Sequence, residues 1–76
     1  MVKFEQVVKA VGGEEKIYNI KRDLFPGRTK LTEDELDVWS ETILRLAANN
    51  LKKGGMSRRQ IAEELGLPLM VTLAYL

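Results

Sequence analysis

Eleven carboxylates, twelve cationic side chains and a complete lack of histidine and cysteine set the chemistry open to this chain. Without histidine it has neither the commonest general base nor the commonest metal ligand. Without cysteine it has no disulfide framework and no thiolate metal site. Carboxylate chemistry remains, and Glu33, Asp34, Glu35, Asp37 and Glu41 are the cluster that could supply paired acids or oxygen ligands. Their spacing has a plainer use. Thr32 followed three residues later by Glu35 is a capping box, in which hydroxyl and carboxylate each take a free backbone N–H. Acids in a first helical turn also suit the positive end of the helix dipole. The cluster is therefore assigned to helix initiation. No enzyme activity, metal or cofactor is expected.

The remaining polar chemistry is binding. Arg58, Arg59 and Gln60 open one helical segment, and Lys52 and Lys53 close the segment before it. Cations at a helix start oppose its dipole by about 0.3–1 kcal/mol. Two adjacent arginines there point to phosphate contact, the alternative being two solvated charges. Lys52 and Lys53 suit the negative end of their own helix and form a second candidate phosphate set. Lys21, Arg22, Arg28 and Lys30 give residues 1–30 an excess of seven cations over four acids. They read as a solvated face, or else as a nucleic-acid or acidic-protein patch. Trp39 reads as core, with ligand stacking as the other reading.

Leu69, Met70, Leu73 and Ala74 are the conflicting set, because base edges are read mainly through hydrogen bonds and none of these side chains makes one. Three readings stay open for them. They pack into the protein's own core, they dock a partner or a second copy as an exposed apolar patch, or further chain covers them.

The elements that must position these residues are helical throughout, and period-two β-branched strands are absent. Seventy-six residues make one domain, 1–76. No apolar run approaches the ~18–20 residues of a membrane span, and no signal-peptide layout is present, so a cytoplasmic protein without membrane contact is expected. The net charge of +1 is neutral as to nucleic acid. The fold class is all-α, a small five-helix domain with helices at about 3–11, 14–25, 33–53, 58–65 and 69–76. Phe4, Val7, Val8 and Val11 stripe the first helix. Ile17, Tyr18, Ile20, Leu24 and Phe25 stripe the second. Leu36, Trp39, Ile43, Leu46, Ala47 and Leu51 stripe the third, with Leu31 and Leu36 as its hydrophobic staple. Ser57 and Gln60 form a second capping box with Met56 and Ile61 as staple, and Ile61, Ala62 and Leu65 face inward.

Residues 56–76 read as a helix-turn-helix. A steep crossing needs a small residue, Ala62, and the turn needs one that accepts positive φ, Gly66. Six residues after the glycine an aliphatic is usual, and Thr72 stands there. A turn one residue shorter places Val71 there instead. The stretch from Leu31 onward resembles helix-turn-helix transcription regulators and, more weakly, the bacterial tryptophan repressor family. Leu31, Thr32, Asp34, Glu35, Met56, Ser57, Arg59, Glu64, Leu65 and Gly66 carry the likeness. Its departures are a third helix about two residues longer, Ala74 where that family has an arginine, and no polar tail. Tryptophan sensing does not carry over.

The resemblance implies a small non-enzymatic transcription regulator that binds duplex DNA through phosphate contacts and apolar or shape readout. The alternative is a helix-turn-helix scaffold that binds a protein: an RNA polymerase subunit, another regulator, or itself as a homodimer. Small phage-encoded transcription modulators match it in size and composition.

Overall fold

A computed structural model describes residues 1–76 and contains five helices and no strand. They are α1 (Phe4–Val11), α2 (Glu14–Leu24), α3 (Glu33–Lys53), α4 (Arg58–Leu65) and α5 (Leu69–Tyr75). The all-α class holds, and the helix limits differ from expectation by a residue at three ends. Lys3 is the residue before α1, and its N–H leaves the helix to donate to the Leu65 carbonyl at 2.8 Å. Phe25 and Leu76 lie just past the ends of α2 and α5.

Helix α3 organises the rest. Both bonds of its capping box form: Thr32 Oγ1 accepts from the Glu35 N–H at 3.2 Å, and the Thr32 N–H donates to Glu35 Oε1 at 2.9 Å. Its 21 residues make a rod about 30 Å long, in a molecule whose extents are 37 × 21 × 18 Å. Ala47 and Ala48 are fully buried on it. Two adjacent alanines leave room for a close helix, and α1 lies there, the most extensive helix pairing in the fold. Val7 and Val11 of α1, Ile17 of α2, and Ile61 and Leu65 of α4 close the core around these alanines.

Three side chains of α3 tie the other helices down by their carbonyl oxygens. Trp39 Nε1 donates to the Ile17 oxygen at 3.0 Å. Asn50 Nδ2 donates to that of Ala10 at 2.9 Å, and Asn49 Nδ2 to that of Tyr75 at 3.4 Å. The Ala10 and Tyr75 oxygens lie in the last turns of α1 and α5, where the helix leaves carbonyls free, whereas the Ile17 oxygen takes the indole in the first turn of α2.

The apolar stripes are only partly buried. Phe4, expected in the core stripe of α1, is 68% exposed, while Val7 and Val11 bury the face. Leu24 and Leu36 are also exposed. Leu31 and Leu36 therefore do not close into a buried staple, whereas Met56 is half-buried beside the fully buried Ile61.

Candidate functional site

The α4–α5 pair and the end of α3 hold the candidate phosphate set and the apolar face, whereas Lys21 and Arg22 lie on α2, Arg28 and Lys30 in the connection after it, and Trp39 in the first half of α3. Helix α4 starts at a second complete capping box: Ser57 Oγ accepts from the Gln60 N–H at 3.3 Å, and the Ser57 N–H donates to Gln60 Oε1 at 3.0 Å. The box fixes Gln60 through its carbonyl oxygen and leaves its NH2 group free to meet a ligand. Arg58 and Arg59 follow at once, exposed and without a carboxylate in ion-pair range. Lys52 and Lys53, also exposed and unpaired, lie across the short 54–57 connection. Four free cations thus bracket one connection.

Ala62 is buried and Gly66 adopts φ 68, ψ 34, so the pair turns where the sequence indicated. The register of α5 is then fixed. Thr72 is fully buried, and its hydroxyl donates to the Pro68 oxygen at 3.1 Å within its own helix. That bond lets a polar residue fill an aliphatic position without an unsatisfied group. Val71 is exposed, which excludes the register one residue shorter. Asn49 and Arg45, the latter with its guanidinium 5.3 Å from the Tyr75 ring, hold the far end of α5 on α3.

With Thr72 inward, Met70 and Ala74 lie opposite it, Leu73 on the flank and Leu69 at the open start of α5. Leu69 is 36%, Met70 78% and Leu73 42% exposed, and Ala74 is exposed with them. Packing of these side chains into the protein's own core, one of the three readings of the sequence, is therefore overturned. The reason is the short α5, which has one buried side chain and anchors through it.

An open groove of about 730 Å³ runs between α4 and α5, and Arg59 and Leu69 both line it. One cation of the phosphate set and the start of the apolar face therefore share a concave surface, with Glu63 as its acid. Arg58, Lys52 and Lys53 lie outside this groove. Met1 and Lys3 form part of its wall. A Cβ on Gly66 would stand 2.1 Å from the Met1 oxygen and 2.9 Å from the Lys3 nitrogen. The first three residues thus lie directly on the α4–α5 turn. Sequence reasoning missed this contact, and no local pattern signals it, because the glycine's role in the turn already accounts for its presence.

Of the acids in the first half of α3, Glu35 closes the capping box and Glu41 pairs with Arg45. The Glu35 carboxyl is held below its ordinary range chiefly by the Thr32 backbone N–H, with the Thr32 hydroxyl and the Arg28 guanidinium adding to it against partial desolvation. No group of three or more acidic side chains is placed to hold a metal ion. No helix is long and apolar enough to cross a membrane. No protein-family model, curated protein or solved structure matches the chain.

Proposed function

We propose that the α4–α5 pair is a helix-turn-helix and that the protein is a non-enzymatic transcription regulator docking it on duplex DNA. The observation that carries this reading is the register of α5. Thr72 anchors the helix inward, which turns Met70, Leu73 and Ala74 outward beside the groove that Arg59 and Leu69 line. Arg58, Arg59, Lys52 and Lys53 then hold phosphates, with the Gln60 amide as a neutral donor. The α5 face meets thymine methyl groups and groove shape, because it has no side chain for base-edge hydrogen bonds. Affinity comes mainly from counterion release and falls with salt, the logarithmic slope shrinking by about 0.9 for each phosphate contact removed. Electrophoretic shift at about 50 mM salt tests this. Arg58→Gln with Arg59→Gln lowers both affinity and slope, and absence of binding to any duplex at that salt ends the reading.

A second reading is favoured by one observation, the exposure of three large apolar side chains on a face without hydrogen-bonding groups. On it, α5 packs on a protein, either an RNA polymerase subunit, another regulator or a second copy. One variant separates the two. Leu69→Lys with Met70→Lys adds two cations to the face. A DNA-docking α5 then binds duplex more tightly and less selectively, whereas a protein-docking α5 loses its partner or its self-association while the monomer stays folded.

A further inference from the structure

A second concave surface lies at the opposite end of α3, formed by α2 and the turn that follows it, and no residue of α4 or α5 takes part. It is an open groove of about 650 Å³. Part of its wall is aromatic. Tyr18 is 60% exposed and Phe25 is half-buried. Trp39 backs Tyr18, with ring centroids 6.0 Å apart and planes at 49°. Because the Ile17 oxygen holds the Trp39 indole, the tyrosine rests on a fixed support and presents a free surface.

The rest of the wall is cationic. Lys21, Arg22 and Arg28 line it against a single acid, Glu15. Arg28 is spoken for, gripped by both oxygens of Glu35 at 2.8 and 2.9 Å. Lys21 and Arg22 have no carboxylate in ion-pair range. Arg22 is steadied by a neutral hydrogen bond to the Asn19 oxygen, and Lys21 Nζ lies 5.8 Å over the Trp39 ring. The groove therefore offers a planar donor, a second cation and an open aromatic face. Phosphate suits the first two, and a heteroaromatic ring suits the third.

We propose that this groove binds a nucleoside phosphate, with the phosphate on Arg22 and Lys21 and the base stacked on Tyr18. Arg28, neutralised by Glu35, shapes the turn. The site is independent of the DNA reading, since it uses neither α4 nor α5.

Trp39 is the chain's one tryptophan and touches both Tyr18 and Lys21, so its emission reports occupancy of the intact protein. Titration with adenosine and guanosine 5′-monophosphates, inorganic phosphate, adenosine and an oligoglutamate peptide tests the proposal, with amide shifts over residues 15–29 as a second readout. At least one monophosphate is expected to bind about tenfold more tightly than inorganic phosphate, the gain of one stacked base, and more tightly than adenosine, the gain of the phosphate contact. Tyr18→Ala removes that gain and Tyr18→Phe keeps it. Lys21→Gln with Arg22→Gln brings the monophosphate down to the level of the free nucleoside. Equal binding of monophosphate and inorganic phosphate, an unchanged affinity in Tyr18→Ala, or tighter binding of the acidic peptide overturns the proposal. All the substituted side chains lie outside the buried core, and amide spectra of the free variants verify their fold.

Discussion

At the scale of single residues, Gly66 is the position where conformation and contact coincide. Its φ of 68 suits glycine, and the Met1 and Lys3 backbone occupies the space a side chain would take. Gly12 also has positive φ, at 107, but nothing lies within 4 Å of the position its Cβ would occupy. Gly12→Ala therefore meets backbone strain alone, of about 1–3 kcal/mol. Gly66→Ala meets strain and a collision with rigid backbone, and urea unfolding is expected to show the larger loss there. Glu35 makes a prediction of a different kind. Its carboxyl is held below its ordinary value of 4.5 by the Thr32 N–H first, then by the Thr32 hydroxyl and Arg28. A carboxyl lowered by folding stabilises the native state above the unfolded value, and that contribution disappears as pH falls through the lowered folded value. The stability difference between the wild-type chain and Glu35→Gln, followed by thermal unfolding against pH, is thus expected to be full near neutrality and to vanish in acid.

At the scale of elements, the legible parts were those whose chemistry is local. Thr32 with Glu35 and Ser57 with Gln60 announce two helix starts, because each box needs only residues three apart, and both form. The register of α5 was legible only as a choice, with Thr72 named by its spacing from Gly66 and Val71 as the alternative, and Thr72 is the residue that is buried. Val71 and Thr72 are both β-branched, and choosing between them depends on where the turn ends and on the Thr72 hydroxyl finding the Pro68 oxygen. Phe4 misled for a related reason: the apolar stripe of α1 is wider than the surface α3 offers it, and Val7 and Val11 fill that surface. The candidate cations and apolar face were named from sequence. The groove that Arg59 and Leu69 share was not, because Met1 and Lys3, more than sixty positions away from α5, form part of its wall. The register has a direct test. Thr72→Lys buries a charge where no partner exists and is expected to lose about 2–4 kcal/mol. Leu73→Lys, one residue on, points to solvent and should stay within about 0.5 kcal/mol. A helix turned so that Val71 faces inward would leave Thr72 and Leu73 both on the solvent side, and the Thr72→Lys loss would disappear in a thermal-melt comparison.

At the scale of the whole molecule, α3 works as a mast with a different surface at each end. Its start carries the Tyr18–Arg22 groove, and its end carries Lys52, Lys53 and the α4–α5 pair. The middle is the rigid part, where Ala47 and Ala48 receive α1, and where α4 contributes two fully buried side chains, Ile61 and Leu65. By contrast α5 contributes only Thr72 to the buried set, has no side-chain cap and has no acid in its first turn. Local stability follows buried contacts, so such an element opens without the rest of the domain. Native-state amide exchange is expected to show the slowest protons in α1, α4 and the middle of α3, all opening with the global free energy. The amides of α5 should exchange at least about tenfold faster, a local opening at least ~1.4 kcal/mol below the global one. A docked α5 exchanges its solvent face for a partner, whether DNA or protein, and its opening is then coupled to dissociation. Addition of the true partner should therefore slow α5 exchange selectively and leave the already slow core unchanged. A nucleoside monophosphate bound at the other end should instead protect residues 15–29 and leave α5 exchanging as before. Slowing of both regions by one ligand would mean that α3 transmits binding along its length, so the exchange pattern separates two independent surfaces from one coupled device.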